Sequence, residues 1–326
     1  MQVQQANKIV VLGTGGTIAG TSPVAGANVG YVAGQLGVDQ LLASVPALAQ
    51  AAAGFELVAE QVANVDSKDM SHAIWQALVQ RCWARLQDPA VAALVITHGT
   101  DTLEETAWLL HALLPADKPV VLTSSMRPAT ALAPDGPQNL LDAVRLAAHP
   151  QARGVLAVAA GVLHGARAVR KVHPLRLDAF SSGDEGPLGW VEDERVRWAH
   201  GAPPAARPAV FADLAMRLAA APAEQPWRWP RVELVASHAG SDGVVVDALV
   251  AHGVHGLVVA ATGNGTLHEA LQPALERALD AGVAVRIASR CPLGRMVSLQ
   301  DARWRDAQGL SPVKARISLM LELMQP

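Results

Sequence analysis

The chain has 326 residues, of which 51% are hydrophobic, 17% charged and 4% aromatic, and its formal net charge is −3. So much apolar material with so few charges excludes a disordered chain, and the length accommodates two α/β domains or one large one. The nearly balanced charge offers no global field for nucleic acid or an anionic membrane, so neither is an expected partner. Two cysteines, Cys82 and Cys291, cannot build a disulfide scaffold or a four-thiolate zinc site.

Met1 to Lys8 is polar, and Ile9 to Leu12 is too short for a signal core. No stretch reaches the roughly 20 apolar residues that cross a bilayer. The expected location is the cytoplasm, or the periplasm if a signal segment has been removed.

A theme then repeats: a short β-branched run, a loop rich in Gly, Thr or Ser, and a helix. Ile9-Val10-Val11-Leu12 runs into Gly13-Thr14-Gly15-Gly16-Thr17. Ala92 to Thr97 runs into His98-Gly99-Thr100-Asp101-Thr102, and Val120-Val121-Leu122 into Thr123-Ser124-Ser125-Met126-Arg127-Pro128. Uninterrupted apolar strands followed by helices predict a parallel sheet covered on both faces. After the second loop, Thr102-Leu103-Glu104-Glu105 fits a capping box, with Thr102 as cap and Glu105 reaching back. Leu103, Ala107, Leu110 and Leu114 follow at helical spacing, and Pro115 and Pro119 close the segment. His98 to Asp101 thus sit at the carboxyl end of a buried strand, where open α/β sheets place ligands.

Prolines at 203, 204, 208, 222, 226 and 230 mark a Pro/Ala-rich linker over 201–230, with a helix near Val210 to Ala220. Beyond it the theme restarts. Val232 to Ser237, Gly256 to Ala261 and Val283 to Ala288 read as strands; Leu267 to Ala281 and Val313 to Met324 read as helices. The expected fold class is α/β in two domains. Residues 1–200 form the larger, mostly parallel sheet with helices on both faces, and 231–326 a smaller parallel α/β domain.

The Gly13 to Gly20 loop is not a dinucleotide fingerprint, because the third glycine position is Ile18, and it lacks the Gly-Lys-Ser/Thr of a P-loop. Its glycines permit positive φ and close backbone approach beside Thr17, yet alone it reads as a structural turn. His98 to Thr102 alone reads equally as a helix cap and as a ligand-binding turn. There is no Gly-x-Ser-x-Gly elbow, and Cys291 has no base near it in sequence and reads as buried. Trp227-Arg228-Trp229 reads as a packing element, and His252 and His255 as surface residues rather than metal ligands.

Taken together, Thr14-Gly15-Gly16-Thr17-Ile18 and His98-Gly99-Thr100-Asp101-Thr102 resemble the two signatures of the bacterial-type L-asparaginase/glutaminase family. The resemblance extends through Ser67-Lys68-Asp69-Met70, Ser125-Met126-Arg127-Pro128, Asp135-Gly136-Pro137-Gln138-Asn139, Gly263-Asn264-Gly265 and Pro312-Val313-Lys314-Ala315-Arg316. It therefore covers nearly the whole chain.

The resemblance implies hydrolysis of L-asparagine through a threonine nucleophile and an acyl-enzyme, with no metal or organic cofactor. Thr17 is implied as the first nucleophile, with Tyr31 from a mobile loop, Ile18 to about Val32, beside it. Thr100, Asp101 and Lys171 are implied as a second catalytic cluster. Ser67 and Asp101 are carried over as contacts to the substrate carboxylate and ammonium, with Ser125 and backbone N–H groups near Thr17 and Thr100 lining the amide site. Lys68 stands where many periplasmic relatives carry Gln, either meeting the carboxylate or facing solvent. Ser237 to Asp242 does not clearly supply the family's second-subunit asparagine, and Gln300-Asp301-Ala302-Arg303 lacks its glutamate, which favours asparagine over glutamine. The implied assembly is a homodimer at minimum and a tetramer of paired dimers. The alternatives are a dual glutaminase-asparaginase and a non-catalytic amino-acid-binding protein on the same fold.

Overall fold

The computed structural model describes residues 7–24, 26–115, 117–201, 210–222, 224–297 and 303–325. The chain divides into two compact units, Met1–Trp227 and Arg228–Pro326.

In the first unit the strands come in order as β1 (Lys8–Gly15), β2 (Glu56–Val65), β3 (Val91–Thr97), β4 (Pro119–Thr123) and β5 (Gly154–Ala159). After them come β6 (Val162–Gly165), the short pair β7 (Arg170–Lys171) and β8 (Phe180–Ser181), then β9 (Gly189–Glu192) and β10 (Arg195–Trp198). Among the described residues, eight of these form one sheet in the order β10-β9-β6-β5-β4-β3-β1-β2. The stretch from β2 to β5 is parallel, and β6, β9 and β10 extend it antiparallel. Ile9 to Leu12 and Leu94 to Ile96 are essentially without solvent exposure, as strands covered on both faces must be.

Helices α1 (Val38–Ala43) and α2 (Leu48–Ala51) follow β1, α3 (His72–Gln87) follows β2, α4 (Leu103–Leu113) follows β3, and α5 (Gly136–Ala148) follows β4. One apolar cluster joins α1, α2 and α5 to Ile9, Val11, Val95, Val121 and Val158. Helices α3 and α4 pack on the sheet as well, α3 against β2 and β3 and α4 against β5. The linker helix α6 (Ala212–Ala220) lies against α3 and α4, where Gln80 Nε2 donates to the Ala221 carbonyl at 3.0 Å. Full burial of each large apolar side chain contributes about 1.5–3 kcal/mol, so the two covering layers dominate this unit's stability. Trp227 is buried in the same unit, its backbone N–H donating to Gln76 Oε1 at 2.8 Å.

Strand order places the site. The chain leaves β1 to one side for β2 and returns on the other for β3, so the crevice between β1 and β3 is the topological switch point of the parallel region. The loops carrying Thr17 and Thr100 open at those two carboxyl ends.

The second unit has a parallel sheet of β11 (Val232–Ala236), β12 (Gly256–Ala261), β13 (Ala284–Ser289) and β14 (Arg305–Asp306) in that order. Helices α7 (Val244–Ala251) and α8 (Gln272–Asp280) share a core with Val235, Leu257, Val259 and Ile287. The terminal α9 (Pro312–Leu323) packs against β11, β12 and β13. Helix α8 is shorter than the apolar periodicity predicts. Leu271 N–H bonds back to the His268 carbonyl in a turn, and Pro273 occupies the first helical turn. Cys291 also departs from expectation: it is exposed on the loop beyond β13, whereas Cys82 is buried in α3.

Candidate active site

Three loops touch through glycines. A Cβ placed on Gly16 would lie 2.4 Å from both Cα and N of Gly99, and one placed on Gly99 would lie 2.4 Å from Ser67 Oγ. Only glycine at both positions lets the ends of β1, β2 and β3 approach this closely. Gly16 also has φ 82° and ψ −174°, a region that L side chains rarely adopt. This contact brings Thr17, Ser67 and Thr100 to one place from three distant parts of the chain.

Thr17 opens a single 3₁₀ turn, Thr17–Ala19, and is buried. Its Oγ1 is 2.7 Å from the Tyr31 hydroxyl. Thr21 and Val32 pair antiparallel, at 3.0 and 2.9 Å, closing the intervening loop back on itself and delivering Tyr31 to Thr17. The loop is pinned to the segment after β4. Ala129 N–H donates to the Gly20 carbonyl at 2.9 Å, and Ser22 N–H to Thr130 Oγ1 at 2.8 Å. Asp135 holds that segment in turn, accepting the Met126 and Arg127 N–H groups at 2.9 Å each.

The second cluster centres on Lys171, whose Nζ donates to Thr100 Oγ1 at 2.8 Å and to Asp101 Oδ1 at 2.5 Å. Its position is set by the β7–β8 pair, where Lys171 faces Phe180, and by Glu104, whose carboxylate accepts the Lys171 backbone N–H at 2.8 Å. Glu104 lies in the first turn of α4, so the helix that follows Thr100 also anchors the backbone of its lysine. Thr100 is buried, whereas the Asp101 side chain is half exposed at 52% and accessible to a ligand ammonium. Ser67, also buried, accepts the Asp101 N–H at 3.2 Å and retains a hydroxyl hydrogen for an anion.

The other sequence candidates lie differently. Ser125 is buried and donates to the Arg127 carbonyl at 2.8 Å, which commits its hydrogen to the loop. The Lys68 side chain is 61% exposed, and its ammonium is paired with Asp69 at 2.5 Å and Asp66 at 3.4 Å. The Asp69 hydrogen bond raises its pKa further. The capping box does not form: Thr102 makes no side-chain cap bond, and its hydroxyl donates to the Ser67 carbonyl at 2.8 Å. Stitching two site loops together takes precedence over an orphan helix amide. The glutamate missing near Gln300, Asp301 and Ala302 is a matter of residues outside the described ones.

Beneath the site His98 is fully buried, with Nδ1 2.7 Å from the Gly99 carbonyl and Nε2 2.9 Å from Thr106 Oγ1. Burial lowers its pKa to about 4, partly offset by the carbonyl contact, so it is neutral at physiological pH. Neither His98 as a buried hydrogen-bonding group nor Glu104 stands out from sequence; their partners are the only signal. Among the described residues, no group of three or more His, Cys, Asp or Glu could hold a metal ion, and no helix is long and apolar enough to cross a membrane.

This α/β switch point presents two threonines, one on a phenol and one on a lysine–carboxylate pair, an arrangement whose chemistry suits a hydroxyl nucleophile. The family model for Asparaginase, N-terminal, matches residues 8–204, and that for the Glutaminase/Asparaginase C-terminal domain matches residues 231–326. L-asparaginase 2 of Escherichia coli (strain K12) is 35% identical over 97% of this chain and 89% of its own length. The Glutaminase-asparaginase of Pseudomonas fluorescens biotype A is 34% identical over 97% and 86%. A crystal structure of a "Probable Cytoplasmic L-asparaginase" from Campylobacter jejuni superposes with TM-score 0.87 at 36% identity, covering 98% of this chain and 96% of that one. The chain belongs to the asparaginase/glutaminase family.

Proposed function

We propose that this chain hydrolyses L-asparagine to L-aspartate and ammonia, and that Thr17, Tyr31, Thr100, Asp101 and Lys171 carry the reaction. The observation that carries this reading is the pairing of Thr17 with Tyr31 and of Thr100 with Lys171 on loops that touch at Gly16 and Gly99. Ser67 and Asp101 hold the substrate carboxylate and ammonium, with Ser125 behind the amide site.

Thr17 Oγ1 attacks the side-chain amide carbon while its proton passes to the Tyr31 oxygen and the Tyr31 hydroxyl proton moves on to the amide nitrogen. The carbonyl π-electrons move to oxygen, giving a tetrahedral oxyanion steadied by backbone N–H donors. Collapse re-forms the C=O and breaks the C–N bond; the nitrogen, already protonated, leaves as ammonia. A water then adds to the ester, with Thr100, polarised by Lys171, orienting it. Breaking the ester C–O bond releases aspartate and returns the proton to Thr17. The loop from Ile18 to about Val32 opens for substrate entry and closes to exclude water. Lys68 stands outside this scheme because Asp66 and Asp69 occupy its charge at the surface; it adds at most a long-range pull on the carboxylate.

The same reading places the chemistry in residues 1–200, a linker at 201–230 and a C-terminal domain at 231–326, in a cytoplasmic homodimer or tetramer. Asparagine is the preferred substrate. Ammonia release from L-asparagine and L-glutamine, measured on wild type and Thr17→Ala together, tests it. Fast asparagine turnover abolished by the substitution supports the reading. Comparable glutamine turnover replaces it with a dual amidase, and ligand binding without ammonia release replaces it with an amino-acid-binding protein.

A further inference from the structure

We infer that the buried chain Trp75–Thr106–His98 is a positioning device that sets the direction of the Gly99–Thr100 peptide and so aims the Thr100 N–H at the developing oxyanion. The inference rests on the amidase reading of the site and names what keeps one of its donors in place.

Every hydrogen in the chain has a determined direction. The Trp75 indole N–H is a donor only and lies 2.9 Å from Thr106 Oγ1, so that oxygen accepts it. The single Thr106 hydroxyl hydrogen then faces His98 Nε2 at 2.9 Å, which must accept. Nδ1 therefore carries the ring hydrogen and donates it to the Gly99 carbonyl at 2.7 Å. All three side chains are at most 4% exposed, so water does not compete for these bonds. A ring neutral at physiological pH is the form this chain requires.

The peptide so held is the one that most needs an anchor. Gly99 cannot carry a side chain, because a Cβ would meet Ser67, and without one its backbone is the freest in the loop. The peptide is trans, so the Thr100 N–H points opposite to the Gly99 carbonyl. With the carbonyl turned into the core toward His98, the N–H faces out on the side of the site. Among the described residues it has no acceptor, and the one bond of Thr100 is its hydroxyl to Lys171. A donor already aimed and unspent is what an oxyanion site needs.

The test compares Thr106→Val, which keeps shape but removes both polar partners, with Thr106→Ser, which keeps the hydroxyl. Turnover of L-asparagine by the full chain is measured with the folded fraction from thermal melts. Thr106→Val is expected to lower kcat about 10- to 100-fold, below the 10²- to 10³-fold typical of deleting an oxyanion donor outright, with KM within about twofold. Thr106→Ser is expected to stay within about threefold of wild type. Should Thr106→Val not fold, Trp75→Phe removes only the far donor and is expected to give a smaller loss, confined to kcat. Equal losses in the Val and Ser variants, an unchanged kcat in Thr106→Val, or a rise in KM with kcat preserved overturns the inference. An unchanged kcat in Trp75→Phe, where that variant is the one read, does the same. No ammonia release from L-asparagine by the folded wild-type chain instead overturns the amidase reading, and full turnover by Thr17→Ala overturns its nucleophile, whatever Thr106 does.

Discussion

Replacing Gly16 with alanine perturbs the contact on which the site is built. The new Cβ would sit 2.4 Å from Gly99 Cα, against an ordinary carbon–carbon contact of about 3.5–4.0 Å, so the β1 and β3 loops must part by about 1 Å. Two costs add: strain at φ 82° and ψ −174°, about 1–3 kcal/mol, and overpacking against rigid backbone, about 1–3 kcal/mol. The expected destabilisation is about 2–6 kcal/mol. In whatever fraction folds, parting Thr17 from Thr100 by about 1 Å lowers kcat about 100-fold. Gly54→Ala is the control, because Gly54 also has positive φ, 90°, but a Cβ there meets nothing within 4 Å. Urea unfolding and asparagine turnover on the same samples give both quantities. If Gly16→Ala matches Gly54→Ala in stability and wild type in kcat, close approach of the loops is not what holds the site together.

Tyr31→Phe removes the 2.7 Å bond to Thr17 from a half-buried side chain. Its kcat is expected to fall on the order of 10²- to 10⁴-fold while stability changes by about 1 kcal/mol or less; an unchanged kcat excludes the phenol from proton transfer. Glu104→Ala leaves the Lys171 backbone N–H without its acceptor and is expected to cost about tenfold in kcat, on the order of one charge-assisted hydrogen bond, with Glu104→Gln restoring most of it. A loss of the same size in a Lys171→Met background would show that Glu104 does not act through the lysine. His98 has a folded pKa of about 4, below its ordinary 6.5, so the unfolded chain takes up the proton first as pH falls. Stability is therefore lost between pH 6.5 and about 4, by about 3 kcal/mol in all from this group. Histidine ring NMR at pH 5.5 should show His98 neutral with hydrogen on Nδ1, and a midpoint near 6.5 contradicts the buried chain.

The apolar strands were legible because each is covered on both faces and shows as an unbroken run, from Ile9 to Leu12 and from Ala92 to Thr97. Glycines at 15, 16 and 99 beside threonines were legible as turns, because a backbone constraint is written in the residue that satisfies it. The same residues carried the family resemblance. The larger sheet of mainly parallel strands and the smaller parallel sheet follow from that local record.

What tertiary structure decided concerns partners far apart in sequence. Thr102 with Glu105 spells a capping box, yet the Thr102 hydroxyl goes to Ser67, 35 residues away, because the fold sets a buried carbonyl beside it. Lys68 looks like a substrate ligand until Asp66 and Asp69 are seen to hold its charge outside. Glu104 reaches the backbone of Lys171, and Trp75 reaches His98 through Thr106, with no local pattern to announce either. Periodicity and turn chemistry act over a few residues and leave their mark in the sequence. Hydrogen bonds between loops depend on which strands end side by side, and only the order β2-β1-β3 settles that.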